Sequence, residues 1–291
     1  MRRTIYMLTS LSILLAAILA CNTPGASTPT AEVAPTATSM IYIPPTEAAT
    51  TAATAEPTAL LPTFVFGGIS MWLPESFGLV PAVHKPADPT QDANPYWILP
   101  ERDEIYFDHY PLSNQQQLAQ MMVIPVSGFP GYNDSAAEEV ARLQQFLAQE
   151  QDPASIPASE TIPQLSVLNA PQVFHSNVKY LDFQNGSGVR FMTMFAHDVS
   201  PITNASLYYC FQGLTSDGQY LVTAMLPIGH FMLPADGTME PGAYEALSAD
   251  YENYLKTTVD ALNNADPAGW SPSPEYLDQI FQSVKIEGPG E

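Results

Sequence analysis

The sequence is poor in positive charge. Nine Lys and Arg stand against 30 Asp and Glu in 291 residues, a formal net charge of −21. Such a chain repels nucleic-acid phosphates and anionic lipid headgroups, which excludes nucleic acid as a partner. Divalent cations and basic partners are what it attracts. On an exported protein the same charge favours solubility. Cysteine is almost missing: Cys21 and Cys210 are the two in the chain. With Cys21 placed at a processing site (below), no disulfide remains possible and the fold must rest on its core. Recognisable catalytic phrases are lacking as well. There is no Gly-x-Ser-x-Gly, and Gly67-Gly68 has no Lys-Ser/Thr at P-loop spacing. The five histidines form no His-x-x-x-His pair. Nothing therefore announces a cofactor, and none is expected.

What is present begins at the N-terminus. Arg2 and Arg3 precede a mostly apolar run from Ile5 to Ala20, too short to span a membrane and then continue as an anchor. It ends in Ile18-Leu19-Ala20-Cys21, which resembles the lipobox of bacterial lipoproteins. The resemblance implies that residues 1–20 are a signal peptide. Cys21 would be acylated and become the mature N-terminus, held at the outer face of the cell membrane by its lipid. The alternatives are an uncleaved anchor helix and an ordinary secretory signal. Without residues 1–20, seven basic residues face 30 acidic ones, a charge of −23. Each buried CH₂ of an acyl chain contributes about 0.8 kcal/mol to anchoring.

Residues 21–62 are dominated by Thr, Pro and Ala with almost no charge. A segment of that composition cannot bury enough surface to offset its ordering entropy, and it is expected to be a disordered tether. It would span roughly 35 Å as a flexible coil and about 127 Å as extended polyproline II.

From residue 63 to 291 the pattern is that of one α+β domain. The stretch 64–74 reads as a strand interrupted at Gly67-Gly68, by a bulge or a strand start, that pairs with 78–83 in an opening hairpin. Residues 104–110 and 121–126 read as strands. Ser135-Ala136-Ala137-Glu138 is a capping-box phrase opening a helix over about 136–149, with Ala136, Val140, Leu143 and Leu147 on its apolar face. Residues 151–171 form a long irregular connection. Residues 172–228 alternate as four antiparallel strands, with turns predicted at Asn185-Gly186-Ser187-Gly188 and Asp217-Gly218. Apolar residues occupy both faces of this meander. One face is expected to carry helices, and the other to be covered by loops or left as a binding surface. A tyrosine-rich amphipathic helix is predicted over 243–263, and Ser273-Pro274-Glu275 opens a last short helix before a final edge strand at 284–286.

The element order, with the phrase Gly68-Ile69-Ser70-Met71-Trp72-Leu73-Pro74 in the opening hairpin, resembles the Mog1/PsbP-like α/β sandwich over roughly residues 64–286. Two extra strands before the first helix and the 151–171 connection depart from that pattern. The phrases Phe183-Gln184-Asn185-Gly186-Ser187-Gly188-Val189-Arg190-Phe191 and Phe211-Gln212-Gly213-Leu214-Thr215-Ser216-Asp217-Gly218-Gln219-Tyr220 are similar to those of uncharacterised lipoproteins of Chloroflexi-type bacteria. That group implies an address and a fold, not a chemistry.

Two places could carry chemistry. The loops 197–206 and 229–242 both leave strand ends, so a meander could bring His197, Asp198, His230 and Asp236 to one edge. Asp88, Asp92 and Asn94 are a local oxygen cluster, without the spacing, glycine or terminal Glu of an EF-hand. The expected protein is a lipid-anchored extracytoplasmic binding or accessory module whose partners are the membrane, through its lipid, and an envelope protein or small ligand. The alternatives are an extracellular hydrolase using loop carboxylates or histidines, and a solute-binding component of a transporter.

Overall fold

Alternation fixes the centre of the domain. In 176–227, side chains at even and odd positions point to opposite sides of a strand, and both sets are apolar, so the sheet they build must be covered twice. The computed structural model describes residues 60–89, 98–112, 119–157, 160–165 and 168–288. These belong to one compact unit, Ala55–Glu291; the other unit, Met1–Thr54, lies wholly outside the described residues. The signal-peptide and acylation predictions at 1–21, nearly all of the tether, Asp92 and Asn94 also lie outside them.

The meander forms as the pattern requires: β6 (Ser176–Phe183), β7 (Gly186–Thr193), β8 (Tyr208–Thr215) and β9 (Tyr220–Pro227) pair antiparallel in chain order. Three earlier strands, β3 (Ala82–Lys85), β4 (Arg102–Tyr106) and β5 (Gln120–Pro125), extend it to a seven-stranded sheet of order β3-β4-β5-β9-β8-β7-β6. Strands β5 and β9 are neighbours, in register from Gln120 opposite Met225 to Pro125 opposite Tyr220.

One face carries Met121, Val123, Met192, Tyr209, Phe211, Val222 and Leu226, all buried. Against it lie α3 (Tyr251–Asn263), through Val259 and Leu262, and α4 (Pro274–Gln282), through Leu277, Ile280 and Phe281. The Phe281 ring stacks on Phe211 at 4.6 Å and on Tyr209 at 5.6 Å. A small sheet of β1 (Phe64–Phe66), β2 (Ile69–Met71) and β12 (Lys285–Ile286) closes this side.

The opposite face carries Ile124, Val189, Phe191, Cys210, Leu221 and Met225. It is covered by α1 (Asp134–Gln149), through Ala136, Val140, Leu143 and Phe146, and by Ile156, Ile162 and Leu165 of the following connection. The second face is thus core rather than an open binding surface. The Cys210 thiol is among the groups this cover buries, and burial pushes its pKa up to about 12. It is a packing residue.

Several local expectations are corrected. Gly67 and Gly68 both have positive φ, 55° and 81°, and form the two-residue turn joining β1 to β2; of the two expectations there, the strand start is met at Ile69 and the bulge is not. Strand β3 is thereby freed to pair with β4 instead. The β6–β7 turn falls on Gln184-Asn185, ahead of the glycines. Gly186 and Gly188 lie within β7, where the rings of Phe183 and Phe211 lie across the strand: an added Cβ on Gly188 would sit 2.6 Å from both Phe211 Cζ and the Gln212 carbonyl oxygen. Helix α1 is capped by Asn133, whose Oδ1 accepts from Ala136 N at 3.0 Å, not by a capping box at Ser135. The expected 243–263 helix is two, α2 (Ala243–Ala249) and α3, parted at Asp250 by its non-helical backbone (φ −141°, ψ 42°). In contrast, Ser273 caps α4 and Pro274 opens it as the phrase predicts.

One buried carboxylate ties these layers. Asp278, on α4, receives Lys179 Nζ (2.8 Å, β6), Arg190 Nε (3.1 Å, β7) and Tyr209 OH (3.0 Å, β8). A single side chain thus clamps three adjacent strands to the helix. Burial first, and then the Asp278 charge, raise the Tyr209 pKa far above that of a free phenol, so the hydroxyl stays a donor.

Candidate functional site

The four loop residues singled out in the sequence go to different environments. His197 and Asp198 are exposed just beyond the Gln172–Phe195 bridge; the His197 ring Nε2 is bonded to the Asn169 carbonyl oxygen. His230 is buried in β10 (Gly229–His230), which pairs with β11 (Trp270–Ser271). Its ring packs edge-on against Trp270 at 4.9 Å, with Nδ1 accepting from Met232 N and Nε2 facing the Asp266 carbonyl oxygen at 3.2 Å. Asp236 is exposed and accepts from Thr238, which holds its carboxyl below the usual range. Among the described residues no hydrogen bond or ion pair joins any two of the four, and no three His, Cys, Asp or Glu side chains are grouped to hold a metal ion.

Asp88 is engaged electrostatically. Its Oδ2 accepts from Arg102 Nη1 (3.1 Å) and Leu99 N (3.0 Å), while Arg102 Nε donates to Glu104 Oε1 at 2.7 Å. Asp88 N also donates to the Leu99 carbonyl oxygen, so these two residues are bonded in both directions. A cation brought to Asp88 would meet a buried guanidinium. Tyr106 donates to Glu104 at the other end of this network, and burial with that carboxylate raises its pKa to about 12.

A cleft of about 540 Å³ lies where the first turn of α1 meets the connection 161–172 and the end of β7. It is built by the segment 160–165, which is sewn across the α1 face of the sheet. Gln164 N donates to Glu139 Oε1 (2.8 Å), Leu165 N to Gln212 Oε1 (3.3 Å), and Ile162 N to Gln172 Oε1 (2.8 Å). Nearby, His175 Nδ1 meets the Glu160 carbonyl oxygen at 2.8 Å, and burial lowers the pKa of that imidazole. Polar groups lining the cleft are mainly neutral: Ser135, Thr161, Gln164, Asn169 and Gln172. Phe195 and Leu165 supply apolar wall. The Glu139 carboxylate is already held by Gln164 N and by Arg142 Nη1 (2.6 Å). Among the described residues, Gln164 Oε1 and Gln172 Nε2 are buried polar atoms without a hydrogen-bond partner. One is an acceptor and the other a donor.

A second cleft of about 460 Å³ opens between the small sheet and the β3–β4 edge, with Phe66, Ile69, Val123 and Tyr220 in its lining. At its rim His84 Nδ1 faces Asp103 Oδ1 at 2.9 Å and Nε2 faces Glu101 Oε1 at 3.1 Å. Bonding to Asp103 raises the His84 pKa, opposed by its slight burial and reinforced by the charge of Glu101.

Of the candidate site residues named from the sequence, His197 lines the first cleft and none lines the second. Gln164 and Gln172 sit in or beside the proline-rich connection, where no periodicity assigns a neighbour. His84 and Asp103 meet only through the β3–β4 register. Comparison of the chain with protein-family models, with curated proteins and with solved structures finds no match in any of the three.

Proposed function

We propose that this chain is a lipid-anchored extracytoplasmic binding module: acylated at Cys21, tethered by residues 22–62, and presenting the cleft at the start of α1 to a small ligand or envelope partner. The observation that carries the reading is that cleft. Among the described residues that line it, the one carboxylate and the one imidazole are bonded to groups of the protein itself, and the remaining polar side chains are neutral. That is an arrangement for holding a molecule rather than transforming one. The lipobox phrase and the Thr/Pro/Ala-rich segment support the anchoring and the location. Export as a lipoprotein predicts that Cys21→Ser releases the protein from the membrane fraction and abolishes labelling by a fatty-acid analogue; retention with the label intact overturns it. Binding is tested by ligand-induced rise of Tm on the full chain.

One observation favours a hydrolase as the second reading. An imidazole held by Asp103 at the rim of an apolar-lined cleft is the base–orienter half of a catalytic pair. Turnover of chromogenic esters or glycosides that His84→Ala abolishes would establish it.

A further inference from the structure

We infer that the second cleft, between the small sheet and the β3–β4 edge, binds a small organic ammonium ion with an apolar body, held by Asp103 and Glu101. The inference does not rest on the cleft at the start of α1. It shares the His84 cleft with the hydrolase reading but requires no turnover.

Strand register places the charges. His84 and Asp103 stand opposite one another in the β3–β4 pair and share a face of the sheet, the face on which Val123, opposite Asp103 in β5, is buried. Arg102, one residue earlier, points to the other face, where Asp88 and Glu104 engage its guanidinium. The charged side chains left to the cleft are the carboxylates of Glu101, Asp103 and Glu287 and the imidazole of His84. Lys285 is bonded to Glu287. Three carboxylates against Lys285 leave a charge of −2 while His84 is neutral, and −1 when it is protonated. The cleft is short of positive charge in both states, and the chain as a whole, at −21, draws cations toward it.

Burial selects Asp103 as the anchor, with 17% of its side chain accessible against 65% for Glu101. Its Oδ1 meets His84 Nδ1 at 2.9 Å, and its Oδ2 has no bonded partner among the described residues. That second oxygen lies against the β1–β2 turn. A Cβ added to Gly67 would sit 2.8 Å from it, so the glycine leaves the oxygen its room. A charge-assisted hydrogen bond gains strength where water is partly excluded, which makes this oxygen the place for a ligand N–H. A divalent metal ion does not suit the site. Asp103 and Glu101 are held at opposite nitrogens of one imidazole, 2.9 and 3.1 Å away, which keeps their oxygens from converging, and no three ligating side chains are grouped among the described residues. The rest of the wall is apolar. Phe66, Pro125 and Tyr220 are half-buried along it, with Ile69, Val123 and Ile286 beneath them. The two aromatic rings suit an apolar body and its cation, and about 460 Å³ is the volume of a small-molecule site.

His84 makes the site pH-dependent. The charged groups facing its ring are Asp103 on β4 and Glu101 just before it. Protonated, the imidazole is their resident counter-ion; neutral, it yields that place to a ligand. Affinity therefore rises as pH passes upward through the His84 pKa, which the Asp103 bond raises.

The test titrates the full chain in detergent with 2-phenylethylamine, by ligand-observed NMR and calorimetry. The uncharged 2-phenylethanol, the anionic 3-phenylpropionate, calcium chloride and a blocked Lys-containing tripeptide are run beside it. The amine has no ester or glycosidic bond, so hydrolysis does not enter. Saturable binding of the amine is expected, at least about tenfold tighter than that of the alcohol, with none by the carboxylate. Asp103→Asn should weaken it about tenfold or more, and Glu101→Gln, at an exposed position, about two- to threefold. If Asp103→Asn lowers Tm, Glu101→Gln alone decides. His84→Gln should remove the pH dependence between about pH 5.5 and 8 and hold affinity at the parent's high-pH value; an unchanged slope overturns the counter-ion role of His84. Equal binding of the alcohol overturns the charge assignment, and displacement of the amine by calcium overturns the organic ligand in favour of a metal. Preference for the tripeptide overturns the small ligand in favour of a basic protein segment. Amine binding that the carboxylate variants leave intact, or none at millimolar concentration, overturns the site.

Discussion

Replacing Asp278 by asparagine removes one negative charge from the interface of α4 with the sheet while keeping the shape of the side chain. The charge now neutralises two cations. Lys179 is about half exposed, with 47% of its side chain accessible, and can return to water; Arg190, at 8%, cannot. The loss therefore falls on a buried guanidinium left with the Asn177 carbonyl oxygen as its remaining bonded partner among the described residues. Breaking a buried pair by removing one member costs about 3–5 kcal/mol. For a domain of this size each kcal/mol moves Tm by about 2–4 °C, so a fall of about 6–20 °C is expected, read by circular dichroism or calorimetry. Lys179→Met should cost less than about 1 kcal/mol, as an exposed pair does. Replacing the cluster together, with Asp278→Leu, Arg190→Met and Tyr209→Phe, should recover most of the loss, because the apolar set leaves no charge stranded. A fall below about 3 °C for Asp278→Asn, or a triple variant no more stable than the single one, would refute the charge-compensation argument.

Two further outcomes follow from burial and packing. His175 has a lowered pKa in the folded state because burial disfavours its charged form. The unfolded chain therefore binds the extra proton first, and stability should fall as pH drops below the ordinary imidazole value of about 6.5. His175→Gln should flatten that part of the Tm–pH curve; an unchanged slope would show that His175 does not drive it. Gly188→Ala should cost about 1–3 kcal/mol by overpacking against Phe211 and the Gln212 carbonyl, measured by urea denaturation, whereas a neutral result would mean the ring moves aside freely.

The parts of the fold legible in the sequence are those whose signal is local. Alternation from Tyr220 to Pro227 and the Ser273-Pro274 cap each specify their element through near neighbours, and both form as read. The misread parts depend on partners far along the chain. Strand β3 belongs to β4 rather than to the opening hairpin, and only pairing across residues 86–101 settles that. The break at Asp250 accompanies two tyrosines that anchor a distant loop, Tyr251 OH donating to the Ser200 carbonyl oxygen and Tyr254 OH accepting from Ile202 N. The two faces of the meander read alike, and the cover supplied by α1 could not be inferred from them. Among the candidate residues, adjacency in loops was a poor guide. His197 lines the cleft at the start of α1, but Gln164, Gln172 and Phe195 join it there through tertiary contacts that leave no local mark.

The neighbour relation of β5 and β9 has a consequence for the order of assembly. Strands β3 to β5 precede the meander in the chain, yet they join it through β5 beside its last strand, with residues 126–219 intervening. Hairpins β6–β7 and β8–β9 close over short turns, and β7–β8 closes over residues 194–207, so all three can form before the β5–β9 seam, which must wait for the much longer closure across 126–219. Until then β5, rich in Met, Val and Ile, is an unpaired apolar edge of the kind that recruits strands from other chains. The middle of the finished sheet is thus its last seam to close.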